Sequence, residues 1–268
     1  MSQFTFGFIG CGNMGGALAQ AAAKSLSADR LAVCDADPAR TELLTKAGKA
    51  TCVDLSTVAM ESEYIFLGVK PQGMAGLFAT LAPILQKRTS PFVLVSMAAG
   101  IEISKIEKLA GVECGVIRIM PNTPVAVGEG MILYDANANV TDEQIKAFLS
   151  GLSAAGCLDR IPERLIDAAG SLSGCGPAFV YLFAEALADG GVECGLPRDK
   201  ALLYVAQTLV GAGKMLLESG KHPGALKDAV CSPGGTTIAG VHALEAGAFR
   251  SNAMDAVVAA YERTQDLK

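Results

Sequence analysis

The residues best placed to do chemistry are Ser232-Pro233-Gly234-Gly235-Thr236-Thr237, within the stretch 226–239. This stretch interrupts a half-chain rich in alanine and leucine. The Ser-Pro-Gly-Gly bend predicts the end of one helix and the start of another near Thr236 or Thr237. Glycines leave backbone N–H groups unobstructed, and a helix start leaves several without an intrahelical acceptor. Such a tip can cradle a small anion, here with two hydroxyls at its rim. Taken alone, the bend is also what an ordinary capped helix–helix turn looks like.

A second constellation is Gly10-Cys11-Gly12-Asn13-Met14-Gly15. It follows an apolar strand at 4–9 and opens a helix over 16–25, the context that gives a G-x-G-x-x-G meaning. The first glycine permits the tight turn, and the second lets the backbone approach a pyrophosphate. The third lets helix and strand pack closely. A strand at 31–35 ends in Asp35, about twenty residues beyond the glycines, where a carboxylate can accept both ribose hydroxyls. That favours NAD and repels the extra phosphate of NADP unless Arg40 compensates. Asp35 and Asp37 also suit turn and cap positions ahead of a helix at Pro38.

The elements that must position these groups alternate between strand and helix. A strand is expected at 50–53, a short helix at 54–60 and an apolar strand at 64–69. Such an unalternating run suits a parallel strand covered on both faces. Lys70-Pro71-Gln72 follows at its C-terminal end, where doubly wound sheets bind ligands. A strand at 92–96 runs into the small residues Met97-Ala98-Ala99-Gly100. Another at 115–120 stops at Pro121-Asn122-Thr123-Pro124, whose prolines stiffen the loop. Strands at 129–134 and 157–161 flank a helix over 141–154. From 162 onward the pattern is helical: 162–171, a break at Ser173-Gly174-Cys175-Gly176-Pro177, then 177–194 and 197–219. The last two are apolar on more than one face and need cover from all sides. A hundred-odd helical residues cannot enclose two such rods, which predicts an intertwined homodimer. The expected fold is an α/β N-terminal Rossmann-type doubly wound sheet over 1–161. An all-α C-terminal dimerisation and substrate domain follows over 162–268.

Composition narrows the function classes. Of 268 residues, 51% are hydrophobic, and the net charge of -5 argues against a nucleic-acid partner. The eight cysteines form no C-x-x-C pair, and two histidines offer no zinc-ligand spacing, so no metal is expected. Free thiols suit a reducing compartment, and no charged segment precedes the first strand, so a cytoplasmic protein is expected. The run 201–217 is the nearest thing to a membrane span; Gln207 and Lys214 interrupt it.

Several of these segments coincide with one family. The glycine motif, Val69-Lys70-Pro71-Gln72, Met120-Pro121-Asn122-Thr123-Pro124, Ser173-Gly174-Cys175-Gly176-Pro177 and Leu226-Lys227-Asp228 through Thr237 together resemble the pyrroline-5-carboxylate reductases. The likeness spans nearly the whole chain, and the last segment is the family's own signature. It implies reduction of 1-pyrroline-5-carboxylate to L-proline by NADPH or NADH, the final step of proline synthesis. It also implies a homodimer, often built into a larger ring of dimers. By position it implies nucleotide contacts at Gly10, Cys11, Gly12, Asn13, Met14, Gly15, Ser56, Val69, Lys70, Pro71, Met97, Ala98 and Ala99. Substrate contacts are implied at Thr236 and Thr237. Two departures stand out. Cys175 occupies a position where the family commonly has serine, and Asp35 one where NADP-preferring members usually offer polar or basic residues.

The chemistry expected is hydride delivery to the imine carbon of a cyclic C=N bond, for which positioning matters more than acid or base groups. The bend at Ser232, with the N–H groups of Gly234, Gly235, Thr236 and Thr237, is expected to hold the substrate carboxylate. The Thr237 hydroxyl is the expected catalytic group, hydrogen-bonded to the ring nitrogen. His222 reads as a loop or capping residue and His242 as a helix-surface one. A β-hydroxyacid dehydrogenase is the nearest rival. It needs a base, and the lysine those enzymes carry after a glycine-rich helix start has no counterpart in Ala178-Phe179-Val180-Tyr181. A non-catalytic nucleotide sensor is a rival of another class.

Overall fold

A computed structural model describes residues 2–266. They fall into two compact units. One runs through Cys175 and takes in the chain from Ala260 onward; the other is Gly176–Ala259.

The first unit is built on eight strands: β1 (Phe4–Ile9), β2 (Leu31–Cys34), β3 (Thr51–Cys52), β4 (Ser62–Leu67), β5 (Val93–Ser96), β6 (Gly115–Met120), β7 (Gly130–Ala136) and β8 (Gly156–Arg160). Their order in the sheet is β3-β2-β1-β4-β5-β6-β7-β8. All neighbours are parallel except β6 and β7. The helices are α1 (Asn13–Ala22), α2 (Ala39–Lys46), α3 (Leu55–Glu61), α4 (Met74–Leu85), α5 (Ile103–Ala110), α6 (Asp142–Gly151) and α7 (Glu163–Ser173). The strand order reverses between β1 and β4, so the loops leaving these two strands flank the crevice where such sheets bind ligands.

The apolar runs of β1 and β4 are buried on both faces, as parallel central strands require. On one face Phe8 stacks on Phe66 with centroids 4.2 Å apart, and Phe6 meets Tyr64 edge-on at 5.3 Å. Each such pair contributes about 0.5–1.5 kcal/mol beyond burial. On the other face Ile65 and Leu67 pack with Phe78, Leu81 and Ile106 of α4 and α5. Sequence alone left the direction of β7 open, and the structure makes it antiparallel. The reason is length: a parallel return needs a crossover of about a dozen residues or more, and only the Pro-stiffened 3-10 turn Thr123–Val127 connects β6 to β7.

Local caps fix helix starts. Thr141 and Gln144 form a reciprocal capping box at α6, and Asp54 accepts the Thr57 N–H at 2.7 Å at the start of α3. α7 is tied to the sheet by charge. Arg118 of β6, 1% exposed, donates to Asp167 at 2.5 Å and lies 3.4 Å from Glu163, whose Oε1 also accepts the Ile103 N–H at 2.7 Å.

The second unit holds α8 (Gly176–Glu193), α9 (Arg198–Ser219), α10 (Pro223–Val230), α11 (Thr236–Ala246) and the start of α12 (Phe249–Asp266). α8 and α9 pair through a turn at Gly195, whose φ of +96° suits glycine. Among the described residues of this unit only Ala188 and Ala201 are buried. Tyr181, Leu182, Leu203 and Met254 stand exposed, and Leu217 is 86% exposed. These helices carry far more apolar surface than one chain covers.

The helical run most like a membrane span is not 201–217. It is Glu163–Glu193, which is long and apolar enough by length and composition. Its first part, α7, buries Ile166, Asp167, Gly170 and Ser171 and packs on β6 and β7, so that segment is occupied by protein contacts.

Candidate active site

The glycine-rich loop leaves β1 through Gly10, whose φ of +94° is left-handed. A Cβ on Gly10 would sit 2.6 Å from the Gly68 carbonyl oxygen, and one on Gly15 would sit 2.1 Å from the Gly10 oxygen. Gly68 itself could carry no Cβ, for 2.2 Å would separate it from the Gly10 oxygen, and its N–H bonds to Ile9 at 2.7 Å. Gly68 was not among the residues expected from sequence; its signal was a glycine directly after an apolar strand. Gly12 is the N-cap of α1 with no side-chain cap, and the first turn carries no acidic side chain. The N–H groups and the positive end of the helix are thus left for an anionic ligand. A cradle stripped of Cβ atoms and of side-chain caps fits a dinucleotide's pyrophosphate.

Beside this loop, Asp35 accepts the Cys11 N–H at 2.6 Å and the Asp37 N–H at 2.9 Å. The buried Cys11 thiol lies 3.8 Å from the Cys34 carbonyl oxygen. Burial, reinforced by the charge of Asp35, pushes that thiol up to about 12, so it stays protonated and inert. A groove of about 510 Å³ between α1 and α2 opens at Gly12, Asn13 and Arg40.

The parallel strands bring the remaining cofactor candidates to this same edge. Ser56 is exposed in the first turn of α3, beyond β3. Beyond β4, Val69 is half-buried and Lys70 exposed, before the 3-10 turn Pro71–Gly73. Beyond β5, Met97 is half-buried, Ala98 buried and Ala99 exposed. Asn122, beyond β6, is buried and bridges two backbones: it accepts the Met131 N–H at 2.8 Å and donates to the Ser173 carbonyl at 3.0 Å. Another cleft, of about 420 Å³, lies at the opposite edge of the sheet. Its Arg88 is already engaged by the carbonyls of Ala59, Ser62, Ser90 and Pro91.

In the second unit, considered by itself, α10 ends at Val230 and α11 begins at Thr236. Gly234 is left-handed, with φ of +67°. Gly235 is the N-cap of α11, with no side-chain cap, and its own N–H closes the turn on the Ser232 carbonyl at 3.0 Å. The first intrahelical bond runs from Ala239 to Gly235 at 3.4 Å. The N–H groups of Thr236, Thr237 and Ile238 therefore have no intrahelical acceptor. Ser232, Gly234 and Thr236 are exposed, and Gly235 and Thr237 are half-buried. Cys175, which belongs to the first unit, is half-buried just after α7. His222 caps α10 through Nδ1, which accepts the Gly224 N–H at 3.1 Å, and His242 is exposed on α11.

Comparison with known proteins bears on both units. The profile described as "Pyrroline-5-carboxylate reductase dimerisation" matches residues 163–267, and "NADP oxidoreductase coenzyme F420-dependent" matches residues 5–100. The pyrroline-5-carboxylate reductase of Pisum sativum is 42% identical, over 99% of this chain and 96% of the relative. The chain belongs to the pyrroline-5-carboxylate reductase family. The Methanosarcina acetivorans reductase is 40% identical, over 100% of this chain and 99% of the relative. Among solved structures, the Plasmodium falciparum pyrroline carboxylate reductase with NADP bound superposes with a TM-score of 0.86. It is 33% identical and covers 99% of this chain and 98% of its own. The Coxiella burnetii pyrroline-5-carboxylate reductase gives 0.90 at 30% identity, covering 100% and 99%.

Proposed function

We propose that this chain reduces 1-pyrroline-5-carboxylate to L-proline with NADH or NADPH, the last step of proline biosynthesis. The observation that carries the reading is the start of α11. Three consecutive N–H groups without acceptors lie beside two threonine hydroxyls, in a chain whose full-length relatives are reductases of this substrate.

When bound, the reduced nicotinamide supplies a hydride to the imine carbon, C2 of 1-pyrroline-5-carboxylate, which becomes C5 of proline. The chain's own residues bind and orient. The N–H groups of Thr236 and Thr237, with that of Gly234, hold the substrate carboxylate at the positive end of α11. Because the Gly235 N–H closes the turn, its part is to shape the tip, with Ser232 as its acceptor. The Thr237 hydroxyl hydrogen-bonds and orients the ring nitrogen, which takes from solvent the proton that balances hydride addition. The C=N π bond breaks, one C–H and one N–H bond form, and a secondary amine results. On the cofactor side, Gly12, Asn13, Met14 and Gly15 receive the pyrophosphate and Asp35 the adenosine ribose, while Gly10 and Cys11, whose N–H groups bond to Cys34 and Asp35, shape the turn beneath it. Ser56, Val69, Lys70, Pro71, Met97, Ala98 and Ala99 line its path along the strand ends.

The working form in this reading is a homodimer through the helical residues, with dimers free to assemble into a ring. The exposed apolar faces of α8 and α9 support it. A cofactor domain at 1–161 and a dimerisation and substrate domain at 162–268 belong to the same reading, with α7 as the helix that docks on the sheet. The acidic balance argues against a nucleic-acid or anionic-membrane partner, and a cytoplasmic location belongs to the same reading.

One assay tests the function: the fall in reduced-nicotinamide absorbance with 1-pyrroline-5-carboxylate, with proline identified as product. Turnover with proline formation is expected. Nucleotide binding without turnover would leave a nucleotide sensor instead.

A further inference from the structure

Three charged side chains follow β2 and take no part in the hydride or proton transfer: Asp35, Asp37 and Arg40. The two Asp35 oxygens each accept one backbone N–H, from Cys11 at 2.6 Å and from Asp37 at 2.9 Å. A carboxylate has about four acceptor positions, so each oxygen keeps one, aimed by fixed amides. Such a group suits two neighbouring hydroxyl donors. It has nothing to offer a phosphate, which is itself only an acceptor and carries about 1.5–2 negative charges at neutral pH.

Arg40 is the cation on this segment able to offset this, and the structure draws it elsewhere. Its Nε lies 3.5 Å from Asp37 Oδ2, and its Nη1 lies 2.8 Å from where a Cβ on Gly12 would stand. Asp37 is in turn fixed at the start of α2, where its Oδ1 accepts the Ala39 N–H at 3.1 Å. The guanidinium thus lies across the second glycine of the loop, the residue over which a pyrophosphate approaches. Two carboxylates against one guanidinium leave the end of β2 net negative.

We infer that Asp35, with Arg40 held over the glycine loop by Asp37, makes this chain select NADH over NADPH. This rests on the dinucleotide reading of the loop given above. Asp35 has a second duty, because its carboxylate also anchors the loop through the Cys11 N–H. Removing it therefore does not simply invert the preference. Arg40 serves the pyrophosphate that both cofactors share.

The test is equilibrium binding of each nucleotide to the full chain by calorimetry, without substrate. The unmodified chain should bind NADH at least tenfold more tightly than NADPH. Asp35→Asn, which keeps size and one carbonyl oxygen, should narrow that ratio at least tenfold while weakening NADH. Asp37→Asn, which leaves the loop anchor intact and releases Arg40, should strengthen NADPH binding. Arg40→Ala should weaken both nucleotides by similar factors, with circular dichroism confirming that each variant is folded. Equal or tighter binding of NADPH by the unmodified chain overturns the selectivity and leaves the dinucleotide site standing. So does an Arg40→Ala variant that loses NADPH alone. Failure of either nucleotide to bind overturns the loop reading and the selectivity together.

Discussion

The guanidinium of Arg118, on β6, donates to the carboxylate of Asp167, on α7, at 2.5 Å in a site from which solvent is excluded. The pair joins the last strand of the parallel run that begins at β3 to α7, the helix that precedes the second unit in the chain. Burying two charges is itself costly, so the pair adds little over an apolar contact, but breaking it is expensive. Arg118→Ala leaves Asp167 in a low-dielectric site without that counter-charge and should cost about 3–5 kcal/mol. Equilibrium urea unfolding measures this through the midpoint. An unchanged midpoint would show that the charges are not coupled.

Thr237 is the hydroxyl assigned to the ring nitrogen. Thr237→Ala should lower kcat by about a hundredfold or more, the usual scale for a lost proton-transfer or orienting group. Thr237→Ser, which keeps the oxygen, should retain turnover within about tenfold of the original. If alanine turns over as fast as threonine, the helix-tip amides suffice and the hydroxyl has no role.

Exposed apolar residues on the second unit give a test of assembly. A charge placed on a surface that is open in solution is nearly neutral for stability. Leu203 and Leu217 are 58% and 86% exposed within one chain. If copies cover these faces, Leu203→Asp or Leu217→Asp should shift the light-scattering mass from a dimer or larger toward a single chain. Both variants keeping the original mass would remove α9 from the interface.

Three buried acids predict alkaline weakening. Burial raises the Cys11 thiol and the Tyr64 hydroxyl to about 12, and the Cys114 thiol to about 11. In the unfolded chain these groups lose protons at lower pH. Their contribution is therefore complete below the unfolded values and falls as pH rises toward the folded ones. The thermal midpoint should drop progressively above about pH 9. Iodoacetamide at pH 8 should label the exposed Cys52, Cys157 and Cys194 while sparing Cys11 and Cys114. Early labelling of Cys11 would contradict its burial.

Much of this was legible in the chain itself wherever a few neighbouring residues decide the outcome. The glycine motif after an apolar strand, the unalternating residues of β4, and the Ser-Pro-Gly-Gly stop before Thr236 are of this kind. Turn chemistry and side-chain period act within one or two turns of backbone, so they can be read locally. His222 as a cap belongs with them, since its acceptor reaches only two residues ahead.

What only the tertiary structure decided involves groups far apart in the chain. The direction of β7 depended on how short a path remained once β6 was placed. Gly68 mattered because the carbonyl of Gly10 crosses it, 58 positions earlier by their numbers. Arg118 and Asp167 meet across 49 residues, and Arg40 met the glycine loop only when α2 folded back beside α1. Even within the bend, the engagement of the Gly235 N–H by Ser232 was a matter of torsion angles and not of residue type. Residue types set which groups are available as donors and charges. Their pairing is settled by packing, because an ion pair or close backbone crossing depends on distances that sequence spacing does not carry.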